Sequence, residues 1–289
     1  MRKNSAYNRA EEDIGNIIGL EHVNLLVPDQ NLATLFYVSG LGLTRDPYLM
    51  TGPDIMWINV GRNQFHLPTR GTQVLRGHIA LVINDFDRLA DGLERVRKEL
   101  KGTKFSFTRA RGRIDATCPW GNRFRCYPPG KKFGQMNHGM PYVCFDVAKG
   151  AAEPVTRFYN EIIEAPARLG KFEGAPAAFV CAGPNQELVF REKPGRQAKF
   201  DGHHIQVYLA DFSGPHKRLL ERGLVTEESD RHQYRFEVIV DPETNAPVFE
   251  IEHEVRSMHH PLFARPLVNR NPGQRNLTYQ PGADALRFA

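Results

Sequence analysis

At 289 residues the chain is long enough for two ordinary domains, and 41% hydrophobic with 25% charged residues is the balance of a globular protein, not of a disordered one. No apolar run reaches the roughly 20 residues needed to span a bilayer, and Met1 to Asp13 lacks the apolar centre of a signal sequence, so a cytoplasmic protein with no membrane partner is expected. A formal charge of +5 with scattered basic residues argues against nucleic acid as a partner; the run Arg109 to Arg113 reads as a solvated hairpin near a pocket for an anion.

Residues 1–17 alternate polar and charged side chains without a helical stripe and form an N-terminal arm. From Ile18 to Val27 the composition is that of a strand, closed by Pro28-Asp29. Leu32, Leu35 and Phe36 then recur at helical spacing up to Val38, before the glycine stop Gly40-Leu41-Gly42. Three short strands follow at Leu43 to Leu49, Ile55 to Val60 and Gln64 to Leu67, separated by turn chemistry at Gly52-Pro53-Asp54 and Gly61-Arg62-Asn63. The order is βαβββ. It returns from Gly77: a strand to Ile83, a helix over Phe86 to Leu100, and strands at Phe105 to Arg109, Arg113 to Thr117 and Arg123 to Tyr127. Pro128 to Lys132 cannot continue a strand and reads as a linker. A third unit opens near Gly139, with a helix over Pro154 to Ile163 and strands near Arg168, at Ala177 to Cys181 and at Glu187 to Phe190. A fourth opens at His203 or His204, with a helix over Pro215 to Arg222 and strands at Tyr234 to Val240 and Val248 to Val255. The four cysteines have no zinc-knuckle or redox spacing and read as reduced thiols.

The unit openings are variants of one phrase. His22 to Asp29, His78 to Asp85 and His204 to Asp211 each begin with His and end with Asp seven positions later, at intervals of 56 (78 − 22) and 126 (204 − 78). Met140 to Asp146 is a fourth copy without the His. Such recurrence marks a repeated module. The expected class is α+β: four βαβββ units paired into two cupped mixed sheets. The expected domains are 18–130 and 131–256, each of two consecutive units, with an arm at 1–17 and a surface tail at 257–289.

Four such units, Phe36-Tyr37 followed by Leu41-Gly42-Leu43, Phe158-Tyr159, and the strand Gly61 to Leu67 resemble the vicinal oxygen chelate superfamily over residues 18–255. That superfamily includes glyoxalase I, bleomycin-resistance proteins and extradiol dioxygenases. The resemblance implies metal ligands on the first and last strands of units, and a small oxygen-rich or aromatic metabolite as substrate. It also leaves a metal-free drug- or metabolite-binding protein of the bleomycin-resistance kind as the alternative, and a homodimer as an option.

Strand alternation places His22 with Asn24 and Leu26, opposite Val23, Leu25 and Val27, which should pack on the helix. His66 shares a face with Gln64, and His78 with Ala80 and Val82. His22, His66 and His78 turned into one cavity would suit a divalent metal, iron first, with zinc, manganese or nickel also able to bind; singly, each could instead cap a strand. In the second pair of units, His204 with Glu250 and Glu252 forms an alternative metal set, Glu254 sharing their face, but no His stands in register at Gly139 or Met140, and His138 is one position early, so a solvated acidic strand face is the preferred reading there. Arg125 stands where the superfamily often has a carboxylate, so that cavity either relies on histidines alone or holds an anion. Tyr127, on the same face, either donates a proton or lines the wall.

Overall fold

The computed structural model describes residues 8–46, 54–265 and 267. Four βαβββ units follow one another. The first is β1 (Ile17–Asn24), α1 (Gln30–Ala33, continued by the π-helical stretch Thr34–Gly40), β2 (Thr44–Arg45), β3 (Ile55–Val60) and β4 (Asn63–Pro68). Residues 47–49 of the strand expected at Leu43 to Leu49 lie outside the described residues. The second is β5 (Gly77–Val82), α2 (Phe86–Arg95), β6 (Ser106–Ala110), β7 (Arg113–Thr117) and β8 (Arg123–Tyr127). The third is β9 (Tyr142–Val147), α3 (Ala152–Phe158, continued by π-helical Tyr159–Ile163), β10 (Ala167–Phe172), β11 (Ala175–Cys181) and β12 (Glu187–Glu192). The fourth is β13 (His204–Leu209), α4 (Ser213–Glu221), β14 (Val225–Asp230), β15 (Gln233–Val240) and β16 (Pro247–Ser257). Sequence reading omits β14, because Val225–Asp230 is a largely solvated edge strand with only one apolar side chain and so gives no periodic signal.

Two eight-stranded mixed sheets result, in the orders β14-β15-β16-β13-β1-β4-β3-β2 and β10-β11-β12-β9-β5-β8-β7-β6. Unit one therefore shares a sheet with unit four, and unit two with unit three. This corrects the expected pairing of consecutive units: a cut at 130/131 runs through the seam of both sheets. At each seam two opening strands pair antiparallel, β1 with β13 and β5 with β9. Close approach at the second seam requires Gly77, where an added Cβ would lie 1.7 Å from the Cys144 carbonyl oxygen.

The apolar faces of both sheets meet in one core. Phe36 and Tyr37 of the first helical segment contact Phe124 of β8 and Phe65 of β4, with ring centroids 5.3 Å apart in each case. Tyr159 and Phe158 repeat the arrangement against Phe190 of β12 (5.5 Å) and Phe236 of β15 (5.9 Å). Val23, Leu25 and Val27 belong to this same core. Consecutive units thus share helices and aromatic layers, while the sheets tie the two halves together. With the apolar faces turned inward, the opposite, cupped faces carry His22 and its neighbours on one sheet and His78 and its neighbours on the other. The described residues after β16 lie against the first sheet, Arg265 bonding Asp46 at 2.7 Å and Phe263 meeting Tyr208 with centroids 5.0 Å apart. No helix among the described residues is long and apolar enough to cross a membrane.

Candidate metal centre

Register fixes which side chains meet. Across the first sheet one row reads Asn59, Gln64, His22, Gln206, Glu254, Arg235, and the adjacent row reads Trp57, His66, Asn24, His204, Glu252. His22, His204 and Glu254 offer ligand atoms that all lie within 4.8 Å of one another, and all three are buried. His22 comes from β1, whereas His204 and Glu254 come from β13 and β16, so the cluster unites the two halves of the chain.

Two of the three members, His22 and Glu254, are held in the protonation state a cation would need. Burial pushes the His22 imidazole down to about 4, so it is neutral at pH 7. Its Nδ1 lies 3.3 Å from Glu21 Oε2; a neutral ring donating there leaves Nε2 as a lone pair. That Nε2 is buried and has no hydrogen-bond partner, as do both amide atoms of Gln206 beside it. A buried polar atom without a partner costs roughly 1–3 kcal/mol, and a bound cation would remove that cost. For Glu254, burial alone would raise the carboxyl; the hydrogen bond with His204 and the nearby His22 and Arg256 outweigh it and hold the group well below the carboxylate range. His204 Nε2 lies 3.5 Å from Glu254 Oε2 and its Nδ1 lies 3.3 Å from Glu252 Oε1. Two imidazoles and a carboxylate form a donor set that fits a divalent transition metal.

The surroundings nearly balance this charge. Arg235 pairs with both Glu252 and Glu254, and Arg256 pairs with Glu254 at 2.5 Å and Glu21 at 3.1 Å. Glu227 lies 3.7 Å from Arg235 as well, so four carboxylates against two guanidiniums leave two negative charges (2 − 4 = −2), which a divalent ion would neutralise.

The sequence-derived trio is not assembled as expected. His22 and His66 do meet, their rings stacked at 3.6 Å, and Trp57 stacks on the other face of His66 at 3.7 Å. His66 Nε2 lies 3.2 Å from Gln64 Oε1, and burial holds the ring well below its ordinary pKa. His78 is on the other sheet, beside Tyr142 (Nε2 to the hydroxyl, 3.4 Å), because unit two pairs with unit three. The alternative set needs a similar correction. His204 is in the cluster, and Glu252 backs its ring from the adjacent position. Glu250 is exposed and stands one inward position further along β16. Glu254, which alternation puts on the same face, is the carboxylate that reaches His22. Alternation along β16 could name the three glutamates, but only the pairing of Gln206 with Glu254 selects among them. Glu21, Arg235 and Arg256 were missed for the same reason: their roles depend on strands distant in sequence. Arg125 and Tyr127 lie in the second cup, Arg125 bonded to Glu173 at 2.5 Å and the Tyr127 hydroxyl 2.9 Å from that of Tyr142.

No protein-family model and no curated protein matches the sequence. Solved structures do match. Glyoxalase I from Zea mays superposes with a TM-score of 0.58 at 14% identity, covering 83% of this chain and 92% of that one. A proposed dioxygenase from Bacillus subtilis subsp. subtilis str. 168 gives 0.54 at 14% identity, covering 85% and 86%. Likeness at this identity bears on architecture, and it agrees with the four units and paired cups described above: the chain has the vicinal oxygen chelate superfamily fold.

Proposed function

We propose that this protein is a metal-dependent enzyme whose working centre is the His22, His204 and Glu254 cluster of the first sheet. The observation that carries the reading is the buried, unpartnered Nε2 of His22, set beside the imidazole of His204 and the ionised carboxylate of Glu254. A divalent metal bound there would act as a Lewis acid toward adjacent oxygens of a small oxygen-rich or aromatic metabolite, the chemistry shared by glyoxalase-like and extradiol-dioxygenase-like reactions. The chain's own residues would supply orientation and charge. Glu21 fixes the His22 ring, Glu252 fixes the His204 ring, and Arg235 with Arg256 hold Glu254 in place. Iron is the first candidate, with manganese, zinc and nickel served by the same donors.

The test is metal content after anaerobic loading with Fe(II), Mn(II), Zn(II) or Ni(II) followed by desalting. About one ion per chain is expected for the parent, and a loss of at least tenfold in affinity for His22→Ala, His204→Ala and Glu254→Gln, each with unchanged far-UV circular dichroism. Absence of stoichiometric uptake under every metal would remove the proposal. A second reading, a metal-free binding protein, is favoured by one observation: Glu254 is already engaged by two guanidiniums. Under that reading Arg235→Ala would leave metal content at zero, whereas under the enzyme reading it would leave uptake in place while changing its affinity.

A further inference from the structure

The two cups can be compared position by position, because each sheet is built about a seam of antiparallel opening strands. In the first cup four of the inward positions on the opening and closing strands are His22, His66, His204 and Glu254. Register gives their counterparts in the second cup as His78, Arg125, Tyr142 and Val189. One imidazole remains. The carboxylate position has become Val189, which packs with Cys144 and Ala177 in a small apolar cluster.

Neither lost ligand is replaced by another metal donor of the same kind; cationic groups gather around these positions instead, Arg125 standing where the first cup has His66. Arg123, Arg125 and Arg191 line a cavity of about 200 Å³ together with His78, Asp115 and the hydroxyl-bearing Ser106, Thr108 and Thr117. The ion pairs around it join Arg113, Arg123, Arg125, Arg191 and Lys193 to Asp115, Asp146 and Glu173, an excess of two positive charges (5 − 3 = +2). A guanidinium has five N–H donors. Arg123 commits Nε to the Gly77 carbonyl at 3.0 Å and Nη2 to Asp146 at 3.3 Å; Arg125 commits Nη1 to Glu173 at 2.5 Å and a further donor to the Tyr142 hydroxyl, with Nε 3.8 Å from Asp115, so some of the five donors remain on each. Burial and the adjacent Arg125, Arg191 and Arg123 push His78 down to about 3, so its ring stays neutral and adds no charge of its own. Guanidinium forks with flanking hydroxyls match the planar or tetrahedral oxygens of a carboxylate or phosphate. The volume falls below the 300–1,000 Å³ usual for drug-sized ligands, which selects a small molecule.

We infer that the second cup is a metal-free binding site for a small oxyanion, a carboxylate- or phosphate-bearing metabolite, held by Arg123 and Arg125. The site is separate from the metal centre and does not rest on the activity proposed for it.

Isothermal titration of the full chain with malonate and, separately, with inorganic phosphate tests the assignment at constant ionic strength. Saturable one-to-one binding of at least one probe is expected, and the tighter of the two identifies the anion class. Arg125→Gln and Arg123→Gln should each weaken it about tenfold or more. Thr108→Glu, which leaves every arginine ion pair intact and adds a negative charge at the cavity wall, should do the same and covers the case in which an arginine variant fails to fold. His22→Ala, and treatment with EDTA followed by desalting, should leave anion binding unchanged. The proposal is overturned by no saturable binding of either probe in the millimolar range, by binding that persists in the Arg123→Gln/Arg125→Gln/Thr108→Glu combination, or by binding lost with His22→Ala.

Discussion

At the scale of single residues, buried imidazoles connect this fold to pH. His138 lies in the segment between units two and three, where its carbonyl oxygen sits 2.0 Å from the position a Cβ at Gly61 would take. Burial pushes its ring down to about 4. A group whose folded pKa is depressed contributes stability that is fully present above its unfolded value, near 6.5, and is lost as pH falls through the window down to the folded value. Between pH 6.5 and about 4 the unfolded chain binds a proton at position 138 that the folded chain does not. The slope of unfolding free energy against pH in that window should therefore fall by roughly 1.4 kcal/mol per pH unit in His138→Leu. Urea melts at pH 6 and pH 4.5 measure it; an unchanged slope would show that the ring titrates normally in the fold. The residue scale also marks where sequence reading stops. Alternation along β1 and β4 was enough to turn His22 and His66 away from the helix, and along β16 to put the three glutamates on one face, which reads from sequence as solvated. Which of them share a space depends on strand pairing across more than 180 residues, as between His22 and Gln206, and no local pattern encodes that.

Elements were legible where they carry a period or a stop signal. The Phe-Tyr dipeptides at 36–37 and 158–159 both fall in helical segments that widen into π-helical turns, and both place their rings in the shared core. Each helix is short, so tertiary burial of those rings, more than helix propensity, holds it in place. The exposed strand β14 was not legible, and neither was the seam. Glycine has two distinct roles here, and they predict different energetics. Gly77 lies where β5 presses against β9, and a Cβ there would collide with main-chain atoms of Cys144, which cannot move without parting the strands. Gly112 closes the β6–β7 hairpin with φ +73 and has open space around its missing Cβ. Gly112→Ala should cost about 1 kcal/mol, from the left-handed backbone alone. Gly77→Ala should cost several kcal/mol, since overpacking against backbone adds to strain. Denaturant midpoints with unchanged m-values would test the pair, and equal costs would mean that the β5–β9 seam is looser than its geometry implies.

For the whole molecule, the sheet order decides what can fold alone. Residues 8–130 contain units one and two with their shared aromatic layer, Phe36, Tyr37, Phe65 and Phe124. In that fragment β1 loses β13 and β5 loses β9, so two opening strands are left with bare, apolar edges. Exposed edges of this kind pair with other chains. Two copies can satisfy one another by setting β1 of each against β5 of the other, restoring two eight-stranded sheets. The fragment should therefore run as a dimer, or aggregate, in light scattering coupled to gel filtration, and a stable monomer would show that the seams contribute little. Its metal behaviour follows from the same topology. His22 belongs to this fragment, while His204 and Glu254 belong to the remainder. The fragment should retain none of the three-ligand affinity expected of the intact chain, whatever its oligomeric state. Mixing it with residues 131–267 during refolding should restore both the monomeric stoichiometry of halves and the uptake of one ion per pair. Uptake of an ion by the first fragment alone, at the affinity of the full chain, would mean that the ligands are drawn from units one and two and that the pairing of unit one with unit four is incidental to the site.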